Sequence, residues 1–512
     1  MKKFFILLYK LINSLNKLEA ILIFIGLALF SLFIIIPFAY FYQKIFADDQ
    51  PSYQGIIKEA FYQPINSLNP FWAENIAEKT LVNLIYDSLV RPDGKGNYEL
   101  ELADKIITLD KGLKYEITLK EAYWSNGERI NVSDVIESFN YFKLYSSNNY
   151  LKDYFKNITL EKIDNYKFTL TLPLKDNLFL QKLSYIKIIP AKIWSKYEPS
   201  NWKENEEELI KVSSGPFVFF QKNNNTYEFI RNNYYRPRPH LEKVIVYNYQ
   251  KIEEAYQQLK IKKINAIGGL MPNFLDNNIS QTLRIEKIII PRIIGLFFNA
   301  NSVDEKKVNE LKTIINRNEI LTEIFNSRYG ELSDSIFSPS IKKILSLPQE
   351  EIQQPIGNLS QFNFKIIVPD GYLMNKLGIY LQKKYGLNIE IKSLNEINNL
   401  IIPSKKYEGL LYGISYNLIP DLRLFFEDKS LLNLTNKYDP EIIKLIQEIE
   451  IGDNISPETF KKLDERIKNL PIIFLANLYY VYVVPNNLRN FNVFYLNDPS
   501  EKFVKIEEWY LK

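Results

Sequence analysis

The stretch YWSNGE at residues 123–128, followed by SDV at 133–135, contains the strongest structural signals in this 512-residue chain. Gly127 indicates a turn at which a side chain would crowd the backbone, and Trp124 indicates an anchor in a hydrophobic core. The SDV segment has polar residues typical of a helix start, and the apolar spacing extends that helix over Val132–Leu144. The segment therefore predicts a tight turn that leads into a helix.

Apolar patterns elsewhere in the chain predict strands and helices that follow one another. The predicted strands are Lys114–Leu119, Tyr166–Leu172, Phe217–Phe220, Thr226–Arg231, Lys243–Tyr249 and Ile293–Phe298. Two further helices are predicted at Glu74–Leu89 and Asp439–Ile449, the second with Asp439 as N-cap and Pro440 in its first turn. Helices interspersed with strands indicate α/β lobes.

Composition narrows the classes of function. Lys and Arg total 64 against 60 Asp and Glu, so the charge balance does not indicate a basic surface for nucleic acid. The chain has no cysteine and its single histidine is His240, which excludes thiolate nucleophiles and zinc sites built on paired histidines. Neither a G-x-S-x-G nucleophile motif nor a phosphate-binding G-x-x-x-x-G-K-[ST] loop is present. We therefore expect no catalytic residues, metal or cofactor.

The N-terminal part contains a candidate membrane segment. From Ala20 to Tyr42 no residue is charged, which is long enough for a helix to span the hydrocarbon layer of a bilayer. Four lysines precede this run and Asp48 and Asp49 follow it, so the positive-inside rule places the N-terminus in the cytoplasm and the large remainder outside. The alternative is a signal peptide cleaved after Ala47, whose apolar core would span about 7–15 residues. The longer run favours an uncleaved anchor.

Short motifs recur in a fixed order over roughly residues 56–484. They are PINSLNP (64–70), IYDSLV (85–90), LAD (102–104), YWSNGE with SDV (123–135), SGPF (214–217), RN with YY (231–235), LFFN (296–299), the segment 308–320 with Arg317, and LTN with Asp439 (434–439). Each motif alone is weak. In this order they resemble the extracytoplasmic peptide- and nickel-binding proteins called solute-binding protein family 5.

This resemblance implies a periplasmic-binding-protein type II clamshell, in which hinge strands join two α/β lobes and an extra domain is inserted in the first lobe. Ligand is held between the lobes, and hinge closure presents the closed form to a permease. The implied division of the chain is 1–19 cytoplasmic N-terminus, 20–42 transmembrane anchor, 43–54 linker, 55–88 first part of lobe 1, 89–212 inserted domain, 213–291 second part of lobe 1, 292–481 lobe 2, and 482–512 C-terminal return to lobe 1.

The function that the resemblance implies is that of a substrate-binding protein of an ABC importer. The apolar run at 20–42 predicts that this protein is held at the outer face of the cytoplasmic membrane, in the periplasmic or extracellular space. The expected partners are a peptide or another small solute, the ABC permease and ATPase complex, and the membrane, but no nucleic acid. In peptide-binding relatives the ligand backbone is paired like an added strand, so side-chain identity matters little. The alternative is a membrane-tethered sensor or adhesion receptor that uses the same clamshell without transport.

Relatives that take free peptides have a GW..D segment, whose aspartate binds the amino terminus of the ligand. The similar stretch here is YGISYN at 412–417, which makes Ser415, Tyr416 and Asn417 candidate ligand contacts. Asn417 stands at the aspartate position, where its amide lacks the countercharge for an ammonium group, so a free-amine peptide is less favoured. Asp421 can substitute only if the loop is shifted. The alternative interpretation of Tyr416 and Asn417 is an ordinary loop after a strand.

The opposite rim of the expected cleft follows the LNP turn. Trp72 and Glu74 lie directly after this turn and resemble the cleft rim of the family. An indole combines a flat apolar face with a polar edge, which suits reversible binding. Trp72 is therefore the predicted stacking contact, with Glu74 beside it.

Overall fold

The structure is a computed structural model that describes residues 16–47, 51, 53–275, 281–349, 352, 355, 361–416, 422–452 and 456–512. Its strands are β1 Ile56–Phe61, β2 Val90–Pro92, β3 Tyr98–Leu100, β4 Ala103–Leu109, β5 Lys114–Leu119, β6 Thr159–Lys162, β7 Lys167–Thr171, β8 Phe217–Asn223, β9 Thr226–Arg231, β10 Lys243–Asn248, β11 Ala266–Gly268, β12 Leu283–Ile288, β13 Arg292–Phe298, β14 Gly330–Leu332, β15 Lys365–Pro369, β16 Asn388–Lys392, β17 Gly409–Ser415, β18 Ile472–Leu478, β19 Tyr480–Pro485, β20 Leu488–Arg489 and β21 Tyr510–Leu511.

The helices alternate with these strands, as the patterns predict. They are α1 Lys17–Ala47, α2 Ile76–Ile85, α3 Val132–Tyr145, α4 Asn149–Lys156, α5 Phe179–Leu183, α6 Ala191–Trp194, α7 Glu206–Ile210, α8 Ile252–Lys260, α9 Glu305–Ile314, α10 Arg317–Glu319, α11 Pro339–Ile344, α12 Tyr372–Tyr385, α13 Leu394–Ser404, α14 Leu422–Phe426, α15 Pro440–Ile451 and α16 Pro457–Lys468. The predicted N-cap Asp439 is confirmed, because its side chain accepts a hydrogen bond from the Glu441 amide.

The N-terminal helix α1 covers the charge-free run and contains Pro37. Several side chains of α1 lie outside the described residues. Among the residues that are described, no helix is both long and apolar enough to cross a membrane. The transmembrane segment predicted at 20–42 stays a prediction from the sequence.

Lobe 1 is built on a seven-stranded sheet whose order is β12-β19-β11-β1-β10-β9-β8. The first strand, β1, lies parallel to both β10 and β11, and β19 from the C-terminal part pairs antiparallel with β11 and β12. A four-stranded antiparallel sheet, β4-β5-β7-β6, is inserted between β1 and β8 in the chain. Hydrophobic side chains on one face of the seven-stranded sheet share a core with those of the four-stranded sheet. Ala60, Ile267, Val481 and Val483 of the seven-stranded sheet belong to a separate core.

Lobe 2 is built on a six-stranded sheet whose order is β14-β18-β13-β17-β15-β16. Its central strand β13 has the sequence RIIGLFF, and all residues after the first are buried. Ile293 and Phe297 face one hydrophobic core while Ile294 and Leu296 face another. A strand covered on both faces requires a continuous apolar run, which explains why this segment does not alternate.

Two short crossings connect the sheets. The chain leaves the seven-stranded sheet at Ile288 and enters the six-stranded sheet at Arg292, and it returns between Leu478 and Tyr480. The first crossing is held by the C-terminal part, because the Ile289 amide donates to the carbonyl of Phe494 at 2.9 Å. Both crossings lie between the lobes, so a hinge motion of the lobes would bend the chain at these two crossings.

The YWSNGE segment forms the predicted turn and core anchor. Trp124 is buried, and its Nε1 donates to Oδ2 of Asp134 at 3.4 Å. Gly127 has a φ of 86°, and a Cβ there would lie 3.1 Å from the ring of Tyr234. The cap of α3 is Asn131, whose backbone amide donates to the Asp134 carboxylate at 3.0 Å, so the predicted start residues at 133 and 134 lie within the first turn.

A buried ion pair joins β1 to the C-terminal part of lobe 1. The Nζ of Lys502 lies 2.5 Å from Oε1 of Glu59, and Oε2 of Glu59 accepts a hydrogen bond from the Tyr482 hydroxyl at 2.7 Å. All three residues are buried, and the Lys502 ammonium lies 4.2 Å from the ring centroid of Phe61. Burial lowers the pKa of Lys502, and the Glu59 carboxylate opposes that shift. The two charges are tolerated away from water because each has its partner.

Glu501 is a second acid in this region. Its Oε2 accepts a hydrogen bond from the Asn497 amide at 2.9 Å. Burial raises the pKa of Glu501 to about 8, the neighbouring Asp498 adds to the rise, and Lys187 opposes it. The folded protein therefore keeps a proton on Glu501 at pH values at which an unfolded chain releases it.

We expect Glu59→Gln to lower the free energy of unfolding by about 3–5 kcal/mol, because it leaves the Lys502 ammonium buried without a countercharge. The matched control is Glu228→Gln, which breaks the more solvent-accessible pair with Lys243 and should cost less than about 1 kcal/mol. Chemical denaturation followed by tryptophan fluorescence measures both. Equal losses in the two variants would contradict a special role for the buried pair.

We expect stability to fall as the pH rises from about 5 to about 8, because over this window the folded state binds more protons at Glu501 than the unfolded state does. Glu501→Gln removes the titrating group and should flatten this part of the stability curve. Thermal melts across the window measure the slope, with exposed Glu323→Gln as the control. The assignment is wrong if the slope of Glu501→Gln matches that of the wild type.

Candidate ligand-binding cleft

A cavity of about 300 Å³ lies where the two lobes meet. Lobe 1 lines it with Lys79 of α2 and Lys182 of α5, and lobe 2 contributes Ser415 at the end of β17. The first crossing contributes residues 290–292, and the C-terminal part contributes 497–499. Because the walls come from both lobes and from the segment that joins them, the shape of the cavity depends on how the lobes are placed.

Arg292, the first residue of β13, is half-buried in the cavity wall. Its Nε donates to Oγ of Ser415 at 3.3 Å, and the two residues are also paired in the sheet register. Within the described residues its two terminal nitrogens have no hydrogen-bond or salt-bridge partner. Burial lowers the pKa of Arg292, and nearby Asp498 and Tyr62 oppose that shift. The guanidinium stays protonated at neutral pH, since its ordinary pKa is above about 12.

Lys182, by contrast, is paired within lobe 1. Its Nζ lies 2.7 Å from Oδ2 of Asp176, and the same oxygen accepts a hydrogen bond from the Tyr154 hydroxyl at 2.5 Å. The ammonium also lies 4.2 Å from the ring centroid of Tyr154. Burial and the neighbouring Asp176 raise the pKa of Tyr154, which therefore stays a hydrogen-bond donor. This cluster is electrically balanced and fixes one wall of the cavity.

The lobes also touch at the C-terminal end of α15. The backbone amide of Asn177 donates to the Glu450 carbonyl at 2.8 Å, and its Nδ2 donates to the carbonyls of Ile449 and Gly452 at 3.1 and 2.8 Å. The Nζ of Lys175 donates to the Gly452 carbonyl at 2.7 Å. The last carbonyls of a helix lack partners within the helix, so lobe 1 satisfies them. We call this contact, made by residues 175 and 177 with 449–452, the latch.

The predicted rim residues lie in lobe 1 just before α2, whose Ile76 and Lys79 line the cavity. Trp72 is half-buried and packs against Trp202, with ring centroids 6.0 Å apart. Glu74 is exposed, and its backbone amide donates to the Glu78 carboxylate at 3.0 Å. Neither Trp72 nor Glu74 is among the described residues that line the 300 Å³ cavity.

Of the four predicted residues on lobe 2, Ser415 lines the cavity, whereas Tyr416 is buried and is not among the lining residues. The Tyr416 hydroxyl donates to the carbonyl of Ile336, and burial raises the pKa of Tyr416. Asn417 and Asp421 lie outside the described residues. The structure thus brings Ser415 together with Arg292 and leaves Tyr416 in a supporting position.

Sequence reasoning missed Arg292 and Lys79 as cavity residues. Arg292 precedes the apolar run of β13, and a single charge at the start of a buried strand is a signal that could have identified it. Lys79 carries no comparable signal, because nothing in its neighbourhood distinguishes it among the 64 Lys and Arg residues.

No metal centre is evident in the described part of the chain, where no three His, Asp or Glu side chains are grouped as ligands. His240 lies instead between the rings of Tyr53 and Tyr510, with centroids 4.8 and 6.0 Å away. Burial lowers the pKa of His240, and Arg231 lowers it further. The imidazole therefore packs in lobe 1 as a largely uncharged ring.

The chain is similar to known binding proteins both in sequence and in structure. The chain is 22% identical over 491 residues to the oligopeptide-binding protein AppA of Bacillus subtilis, with 86% of this chain and 89% of AppA covered. The crystal structure of that AppA in complex with a nonapeptide has a TM-score of 0.68 at 20% identity, covering 90% of this chain and 100% of AppA. The ABC transporter substrate-binding protein CtaP of Listeria monocytogenes has a TM-score of 0.74 at 17% identity, covering 90% and 99%.

These structural matches confirm the predicted α/β fold of the type II periplasmic binding proteins. The family model "Bacterial extracellular solute-binding proteins, family 5 Middle" matches residues 97–356, which is half of the chain and includes the YWSNGE segment. The motif order identified in the sequence and the two-lobed structure agree with that match. The chain therefore belongs to the bacterial extracellular solute-binding proteins of family 5.

Proposed function

We propose that this protein is the extracytoplasmic substrate-binding component of an ABC importer, which captures a peptide or a similar solute between its lobes and delivers it to a permease. The observation that carries the proposal is the cavity at the first crossing, because both lobes form its walls. A ligand that touches both lobes stabilises the closed arrangement more than the open one, which couples binding to closure. The role is binding, as membership of the family implies, and not catalysis.

The relationship to AppA supports peptides as the class of solute, since AppA is named as oligopeptide-binding and holds a nonapeptide in its structure. From lobe 2 we propose Ser415 as a ligand contact, because it lines the cavity. Trp72 and Glu74 at the rim, and Asn417 and Asp421 at the amine end, stay predictions from the sequence. The hydroxyl of Tyr416 is directed to Ile336 rather than into the cavity, so this residue would support the site from behind.

The latch supports a closure mechanism in which a polar contact between the lobes adds to the contacts made by ligand. Its donors come from the loop after β7 and its acceptors from the end of α15, so these bonds form only when the lobes approach. Each such bond contributes about 1 kcal/mol net. The latch would thus favour the closed form only modestly. Ligand binding would then determine the equilibrium between the open and closed forms.

Attachment to the outer face of the cytoplasmic membrane is proposed from the sequence alone. The charge-free run from Ala20 to Tyr42, with lysines before it and Asp48 and Asp49 after it, supports an uncleaved anchor with the N-terminus inside. Such an anchor would keep the binding protein close to its permease.

We expect the double variant Lys175→Ala, Asn177→Ala to bind a random tetrapeptide pool at least about tenfold more weakly than the wild type, because three side-chain hydrogen bonds of the latch are lost. Titration calorimetry measures affinity and small-angle scattering measures compaction on binding. Lys156→Ala, an exposed change elsewhere in lobe 1, is the control. A wild type that binds peptide without becoming more compact would contradict the clamshell proposal, and a double variant with wild-type affinity would contradict the role of the latch.

We expect protease added outside intact cells to degrade the large domain, while the purified native protein retains residues 1–17. The physical reason is the lysine excess before the apolar run, which retains that end in the cytoplasm. N-terminal sequencing and peptide mass mapping provide the measurement. A mature chain that begins near Asp48 would instead establish cleavage and remove the anchor from the proposal.

A further inference from the structure

Arg292, which lines the cavity, is oriented by a hydrogen bond but has no salt bridge among the described residues. Ser415 accepts from Nε of Arg292 at 3.3 Å, which fixes one edge of the guanidinium plane. The terminal nitrogens have no hydrogen-bond or ion-pair partner among the described residues. An arginine held by one edge offers its remaining donors in a fixed fork, which matches the two oxygens of a carboxylate.

A second cation lines the same cavity from lobe 1. Lys79 lies in the first turn of α2, where its backbone amide donates to the Asn75 carbonyl at 3.0 Å. In the described part of the chain its ammonium group has no hydrogen-bond or salt-bridge partner. The lobe that lacks Arg292 therefore supplies a positive charge of its own to the cavity.

The acidic groups nearby do not balance these two cations. Asp176 neutralises Lys182, as described above. The carboxylate that lines the cavity is that of Asp498, and its Oδ1 accepts a hydrogen bond from the Ser500 amide at 2.8 Å. Asp498 attracts Arg292 but forms no salt bridge with it among the described residues. Among the described residues, two cations without a salt-bridge partner thus share the cavity with one carboxylate that already caps a turn.

Removing charged groups from water is costly unless each one gains a partner, and the terminal nitrogens of the half-buried Arg292 have none among the residues that the structure describes. We infer that the solute bound in this cleft carries a carboxylate group, which is held by the terminal nitrogens of Arg292 and faces Lys79 across the cavity. The inference rests on the proposed function and adds the chemical class of the ligand. It places recognition on an anionic end of the solute, and it requires no free amine.

A ligand carboxylate that contacts both Arg292 and Lys79 also accounts for the position of Arg292 at the first crossing. Arg292 begins the strand that enters lobe 2, whereas Lys79 belongs to lobe 1. A carboxylate that contacts both therefore attracts groups from the two sides of the hinge. Lobe closure would be favoured by the negative charge of the ligand itself.

The test uses full-length protein purified in detergent and two N-acetylated random tetrapeptide pools, one with a free C-terminal carboxylate and one with a C-terminal amide. Capture of each pool is quantified by mass spectrometry. We expect the acid pool to be enriched at least about tenfold over the amide pool, because a charge-assisted pair is replaced by a neutral contact. Arg292→Gln and Lys79→Gln should each reduce this enrichment, and Arg292→Lys should retain part of it.

The matched control is Arg328→Gln, an exposed charge removal in lobe 2 outside the cavity lining, which should keep the wild-type enrichment. Thermal melts establish that each variant is folded, and Lys79→Gln provides the readout if Arg292→Gln is not. Equal capture of acid and amide pools, or an enrichment that both Arg292→Gln and Lys79→Gln preserve, overturns the carboxylate inference while peptide binding stands. Capture of neither pool overturns peptide binding and the inference with it.

Discussion

The Glu59 carboxylate, bonded to Lys502 and Tyr482 in the interior of lobe 1, constrains the path of the whole chain. A carboxylate and an ammonium group can remain buried only where each meets its partner, so residues from the first strand and from the last part of the sequence must converge. The chain has to leave lobe 1 to build the six-stranded sheet and then return. Two crossings follow from this requirement, and the cavity lies beside the first of them.

The position of the cavity couples it to the first crossing between the lobes. Its walls include residues 290–292 of the first crossing as well as side chains of both lobes, so a solute bound there touches the segment about which the lobes would move. The latch lies on the same lobe-to-lobe boundary and satisfies carbonyls at the end of α15. Polar contacts of this kind stabilise one arrangement of the lobes without making it permanent, which suits a protein that must release its solute.

Charge is distributed unevenly in this region. Lys182 is paired with Asp176 inside lobe 1, whereas the Arg292 terminal nitrogens and the Lys79 ammonium have no partner in the described part of the chain. The paired cluster holds a wall in place, and the unpaired cations give the cavity a positive character. The family supplies the two-lobed frame, and these few charges would determine which solutes of that broad class are held.

Local features were predictable from the sequence because neighbouring residues encode them. The turn at Gly127, the cap at Asp439 and the two-faced apolar strand β13 depend on residues within a few positions, and the order of motifs identified the family. The cavity was not predictable in the same way. Arg292 and Lys79 are far apart in the chain, and the Tyr416 hydroxyl is directed to Ile336, a partner that no local pattern indicates. Periodicity reports which face of an element is buried, but only the packing of lobes decides which distant side chains share a cavity.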